Sequence, residues 1–262
     1  MQKINFKSEK GLNLVGNFWQ APSTSSGEVP SKKVIIMTHG LASNKHELGR
    51  FDKLAELLNK QGFNVLSFDF SGSGESDNAI LKVKDQIDDL KYAIKLMRKK
   101  GLNQIGLLGY SLGSYVAAQN YDEDVKTIVL WAPATKKLRK IYRGYIKLKF
   151  KLIIHNVLVC FLKNPDLPVK RIKRKIRINL KTMTDLQYIN QGFLKKIHCP
   201  VLIIHGNKDN VVPAEDSIKA MEYLPKNSQL EIIQGASHIF LKFSDKFIKL
   251  TLDWFCKQFD DQ

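Results

Sequence analysis

Residues 108–114 read Leu-Gly-Tyr-Ser-Leu-Gly-Ser, which sets Ser111 midway between Gly109 and Gly113. The pentapeptide G-x-S-x-G is short enough to arise by chance, so its neighbours must decide what it is. Upstream, Gln104 to Leu108 is an apolar run of strand length, and downstream Ser111 to Gln119 is patterned as a helix. A serine at a sharp strand-to-helix turn sits on strained backbone with its hydroxyl lifted clear of the sheet. Glycines two residues to either side let strand and helix approach without a Cβ clash. The start of the helix places its positive end beneath any charge that develops at the serine.

Working outward, the same alternation recurs. Ile4–Phe6 and Leu12–Trp19 suggest a hairpin turning near Lys10-Gly11, and residues 21–31 are a loop rich in Pro, Ser and Gly. Strands are expected at 33–37, 64–68, 104–108, 126–131, 201–204 and 229–233, giving eight with the hairpin. Helical patterns run from about Glu47 to Lys60, Lys84 to Lys100, Ser111 to Gln119, Ala214 to Tyr223 and Phe240 to Phe259. Short apolar strands alternating with helices imply an α/β fold, a mostly parallel sheet covered on both faces. Sites in such sheets lie beyond the carboxyl ends of the strands.

A nucleophilic serine needs a base and an acid. Of six histidines, His238 alone lies in a loop after the last strand, in Gly-Ala-Ser-His-Ile-Phe (235–240), from which it can reach across the strand ends. His39 precedes Gly40 in the first loop, where a structural or oxyanion-loop role fits; His205 ends a strand before Gly206. Asp209 follows the penultimate strand in His-Gly-Asn-Lys-Asp, again at a carboxyl end. Asp69 also ends a strand, but its Ser-Gly-Ser-Gly-Glu-Ser surroundings suit a turn-stabilising acceptor. The order Ser111, Asp209, His238 is that of nucleophile, acid and base on this kind of fold. The Leu112 amide, directly after the serine, and the Leu41 amide in the loop after the third strand are the expected oxyanion donors.

These pieces together (HGLASNKHE, DFSGSGES, GYSLGS, LWAPA, LIIHGNKDNVVP and GASHIF, in that order) resemble the α/β-hydrolase superfamily. The resemblance is to the serine esterase branch containing cinnamoyl (feruloyl) esterases and monoacylglycerol lipases. It implies a core of residues 1–134 and 191–262 with a cap at 135–190, inserted after the sixth strand. It implies a serine carboxylester hydrolase that acts on small or lipid-like acyl esters without cofactor or metal. Ser111 would be its nucleophile, Asp209 its acid, His238 its base, and Leu41 and Leu112 its oxyanion donors. A peptidase or acyl-thioesterase would use the same triad, and a binding protein could keep the fold without the chemistry.

Composition sets further bounds. A chain of 262 residues can bury one large core, and its three cysteines, Cys160, Cys199 and Cys256, form no metal or redox motif. No apolar run near the N-terminus resembles a signal peptide, and the longest apolar stretch, 152–162, is too short to span a bilayer, so a cytoplasmic protein is expected. The net charge of +17 is concentrated between Trp131 and Asn190, where sixteen Lys and Arg face two carboxylates, Asp166 and Asp185. In the expected cap, apolar residues are threaded between these cations. They could form a solvated lid, a face drawn to an anionic membrane, or a receptor for an anionic group. Nucleic acid is disfavoured because no binding motif accompanies the charge.

Overall fold

The computed structural model describes residues 1–22, 31–137, 143, 180–240 and 242–260. Strands β1 (Gln2–Lys7), β2 (Asn13–Trp19), β3 (Lys33–Thr38), β4 (Asn64–Phe68), β5 (Gln104–Tyr110), β6 (Val125–Trp131), β7 (Val201–Gly206) and β8 (Gln229–Ile233) form one sheet. Their order is β1-β2-β4-β3-β5-β6-β7-β8. β1 pairs antiparallel with β2, and β2 antiparallel with β4; every later pairing is parallel. The eight expected strands are therefore all present, with the hairpin at one edge.

The central strands are buried on both faces, so alternate residues feed two cores. Val34 and Ile36 of β3 pack with Leu66, Leu107 and Leu130 against helices α2 (Val83–Lys99) and α3 (Leu112–Gln119). Ile35 and Met37, pointing the other way, pack with Val65, Leu108 and Val129 against α1 (Arg50–Lys60) and the last helix. Helices with described bounds also include α4 (Leu180–Asp185), α5 (Ala214–Ala220) and α6 (Ser244–Asp260), with 3-10 turns at Gln191–Lys196 and Met221–Tyr223. Two indoles lock α6 to the sheet: Trp131 Nε1 donates to Thr251 Oγ1 and Trp254 Nε1 to Thr127 Oγ1, both at 2.8 Å. Buried indole N–H groups need such acceptors, and these join β6 to α6 in two places.

Two helix starts differ from the periodic reading. α1 begins at Arg50 instead of Glu47, because Glu47, Leu48 and Gly49 have φ of 44°, 60° and 80°. α6 begins at Ser244 instead of Phe240, where φ is 50°. Apolar spacing continues through both stretches, but left-handed backbone ends helical hydrogen bonding whatever the side chains do. Most of the expected cap, residues 138–179 apart from Arg143, lies outside the described residues. Among the described residues no helix is long and apolar enough to cross a membrane.

A demanding contact lies where α3 leaves β5. A Cβ on Gly113 would lie 2.2 Å from the Thr38 carbonyl oxygen and 2.6 Å from that of His39. A Cβ on Gly109 would lie 2.4 Å from the Gly113 oxygen. The Thr38 hydroxyl, at 3.0 Å from both the Leu108 and Gly113 carbonyls, bridges β5 and α3. Both obstacles are backbone, which cannot rotate aside. Gly113→Ala should therefore destabilise the fold by about 1–3 kcal/mol or more, read as a lower urea midpoint at unchanged slope. An unchanged midpoint would show that the helix start can move away from β3 at little cost.

Candidate active site

Ser111 stands at the end of β5 with φ 53° and ψ −114°, a left-handed conformation for a residue with a side chain. Such strain costs on the order of 1–3 kcal/mol and persists only where surroundings enforce it. Here the Ser111 amide donates to the Trp131 carbonyl at 2.8 Å and its own carbonyl accepts from Ala134 at 3.1 Å. The turn is thus held on the β6 side by hydrogen bonds and on the β3 side by Gly113.

The structure brings together three residues far apart in sequence. His238 Nε2 is 3.0 Å from Ser111 Oγ, and His238 Nδ1 is 2.6 Å from Asp209 Oδ2. The carboxylate can only accept, so Nδ1 carries the proton and Nε2 is free to accept from the serine hydroxyl. The Asp209 side chain is fully buried and each oxygen is used twice. Oδ1 accepts from the Val211 and Val212 amides at 2.8 and 2.9 Å, and Oδ2 accepts from His238 and from His205 Nε2 at 3.1 Å. Burial alone would push this carboxyl up, but the bonds from His205 and His238 outweigh it and hold Asp209 well below the usual carboxylate range.

His205 is the site residue that strand patterning passed over. Its Nε2 lies 3.0 Å from the Val212 carbonyl as well as near Asp209, so Nε2 carries the proton. Nδ1 is then left to accept from Ser217 Oγ at 2.7 Å. The signal was a histidine four residues before Asp209 at a strand end, a spacing that has meaning only once the loop is seen to fold back. The other described histidines fall elsewhere. His39 is buried, its Nδ1 at 2.9 Å from the Gly40 carbonyl and its Nε2 accepting from the Phe70 amide, and burial lowers its basicity. His46 pairs with Asp52 on the surface. Asp69 holds the first and second loops together, accepting from the Lys45 and Glu75 amides and from Lys45 Nζ at 2.7, 2.9 and 2.9 Å.

The two expected oxyanion donors belong to segments beside the serine. Leu112 opens α3, so its amide is one of the helix's unpaired N-terminal donors. Gly40 packs on Tyr110 and Ser111; a Cβ there would meet Tyr110 Cδ1 at 3.0 Å and Ser111 Cβ at 3.4 Å. That close approach carries the Gly40–Leu41 peptide past the serine. The Leu41 and Leu112 side chains join Val83, Ala134, Leu186, Ile189 and Val212 in an apolar cluster. Leu186 and Ile189 belong to the end of the expected cap. Among the described residues no cluster of His, Cys, Asp and Glu suits a metal ion.

Comparison with known proteins is consistent with this geometry. The family model described as serine aminopeptidase, S33, matches residues 29–243. Serine hydrolase BPHL of Mus musculus is 26% identical over 236 residues, covering 84% of this chain and 78% of that protein. The Homo sapiens protein of the same name is 28% identical, covering 75% and 71%. Among solved structures, Est1E from Butyrivibrio proteoclasticus with ferulic acid bound superposes with a TM-score of 0.74 at 19% identity, covering 98% of this chain and 99% of that one. At that identity the likeness shows the fold alone, that of an α/β-hydrolase.

The depressed Asp209 has a consequence for stability. A carboxyl held low in the folded state stabilises it fully above its unfolded value, near pH 4, and loses that contribution as pH falls through the native value. The difference in unfolding free energy between wild type and Asp209→Asn should therefore narrow from pH 6 to pH 3. A difference constant over that range would show that the hydrogen bonds do not favour the ionised form.

Proposed function

This chain belongs to the serine aminopeptidase S33 family of α/β-hydrolases, and on that footing we propose that it cleaves carboxylic esters through an acyl-enzyme formed on Ser111. The observation that carries the proposal is the unbroken chain Ser111 Oγ–His238–Asp209, at 3.0 and 2.6 Å, on a strained turn.

In this reading Ser111 Oγ attacks the ester carbonyl while His238 Nε2 takes its proton. Asp209 keeps Nδ1 protonated and stabilises the imidazolium that results. The negative oxygen of the tetrahedral intermediate accepts from the Leu41 and Leu112 amides, the donors this reading assigns to the charge that develops in the transition state. On collapse the alcohol departs with the proton from Nε2, leaving the acyl group on Oγ. Water then repeats the sequence, with His238 as its base, and releases the acid.

The apolar cluster beside Ser111 favours a substrate with an apolar acyl or alcohol group. The ester preference also accords with the ferulic acid bound to Est1E. Residues 135–190 enter this reading as the cap, whose inner end contributes Leu186 and Ile189.

The test pairs a fluorophosphonate with two substrate panels, p-nitrophenyl acyl esters and aminoacyl p-nitroanilides. Wild type should be labelled at Ser111 and favour the esters, and Ser111→Ala should lose labelling and at least ~10³-fold in kcat/KM. Equal labelling of the two proteins would overturn the proposal, and faster anilide cleavage would replace it with the peptidase reading.

A further inference from the structure

A buried ion pair that the chemistry above does not use lies between the first loop and the histidine loop. Glu47 and Arg50 are 2% and 4% exposed, and Glu47 Oε1 stands 3.3 Å from Arg50 Nη2. Their remaining contacts reach in opposite directions. Glu47 Oε2 accepts from the Gly40 amide at 3.0 Å, one residue before Leu41. Arg50 Nη1 donates to the Ile239 carbonyl at 2.7 Å, one residue after His238, while Nε donates to the Glu47 carbonyl at 2.9 Å.

Tyr110 completes the connection. Its hydroxyl donates to the His238 carbonyl at 3.0 Å, its ring lies against Gly40, and the Arg50 guanidinium sits 5.2 Å above that ring. Burial, and then the Glu47 carboxylate, push the Tyr110 hydroxyl well above its ordinary range, so it stays a donor.

The arrangement is costly for a surface loop. Taking two charges out of water usually offsets most of their mutual attraction. Glu47 and Leu48 also adopt left-handed backbone, at φ 44° and 60°, which non-glycine residues seldom adopt without enforcement. Neither cost serves the α1 N-terminus, where no side chain caps the helix. Both are accounted for by what the pair joins.

We propose that Glu47, Arg50 and Tyr110 form a positioning clamp that fixes the Leu41 amide relative to the His238 imidazole. The clamp rests on the reading of Ser111, His238 and Leu41 given above. Oxyanion donor and base sit on loops after β3 and β8, on opposite sides of Ser111, and no strand pairing sets their separation. The donor must lie within about 2.7–3.1 Å of the oxyanion while the base stays in reach of Oγ. A misplacement of about 1 Å costs up to ~10²-fold in rate. Gripping the Gly40 amide at one end and two successive carbonyls, His238 and Ile239, at the other removes that freedom.

The experiment compares wild type, Ser111→Ala, Tyr110→Phe and the paired replacement Glu47→Gln with Arg50→Met. Tyr110→Phe keeps the ring and loses only the grip on His238. The paired change leaves no lone buried charge, and the amide oxygen it introduces can still accept from the Gly40 amide. Fluorophosphonate titration counts competent sites, and hydrolysis of p-nitrophenyl butyrate is then expressed per titrated site.

The clamp predicts that kcat per site falls about tenfold or more in both clamp variants, with KM within about twofold, since the transition state alone is affected. Should the paired variant fail to fold, Tyr110→Phe decides. Wild-type kcat per site, with only the number of sites or the urea midpoint reduced, would overturn the clamp and leave a merely structural ion pair. Absence of Ser111-dependent labelling in wild type would instead overturn the reading of the site, and the clamp with it.

Discussion

Gly113 lies so close to the end of β3 that a Cβ would come within 2.2 Å of the Thr38 carbonyl oxygen, and much of the molecule follows from that approach. It presses the start of α3 against the first loop, which forces the chain to turn within one residue of leaving β5. That residue, Ser111, has no room for ordinary backbone and takes φ 53°. The same approach brings the loop after β3 beside the serine, where Gly40 packs on Tyr110 and Ser111. Without the glycine, strand and helix would separate and the serine would lose that neighbour.

Around that point the loops are held by one repeated device. Buried carboxylates accept hydrogen bonds from loop amides that have no ladder partner. Asp69 takes the amides of Lys45 and Glu75, Glu47 that of Gly40, Asp89 that of Ser71, and Asp209 those of Val211 and Val212. A loop leaving the carboxyl end of a parallel strand abandons its sheet hydrogen bonds, and unpaired buried amides are expensive. An ionised acceptor answers them strongly, provided its own charge is answered. Lys45 does this for Asp69, Arg50 for Glu47, and His205 with His238 for Asp209. Among the described residues no cation forms an ion pair with Asp89, and burial pushes it up to about 6. The contrast shows that burial alone raises a carboxyl, and that partners decide which way Asp209 moves.

Much of this was legible in the sequence, unevenly. All eight strands were: the six later ones as short apolar runs, which parallel strands packed on both faces require, and β1 and β2 as an alternating hairpin. Ser111, Asp209 and His238 were legible because each follows such a run, and strand ends are where loops converge. The starts of α1 and α6 were not: Glu47, Leu48 and Phe240 fit the helical spacing but have positive φ. His205, Arg50 and Tyr110 were also missed as parts of the site. Their roles depend on partners 4, 189 and 128 positions away, and side-chain type does not disclose those partners.

The sequence by itself determined the alternating fold, the parallel sheet and the strand ends on which a nucleophile, an acid and a base could stand. Those follow from apolar periodicity and glycine placement, which act locally and leave a local record. Tertiary structure alone decided how closely His238 approaches the serine and that His205 supports the aspartate. Those are separations between loops that share no hydrogen-bonded ladder. They are set by buried charge pairs and a 2.2 Å limit on one glycine, which exist only after the sheet has brought the loops together.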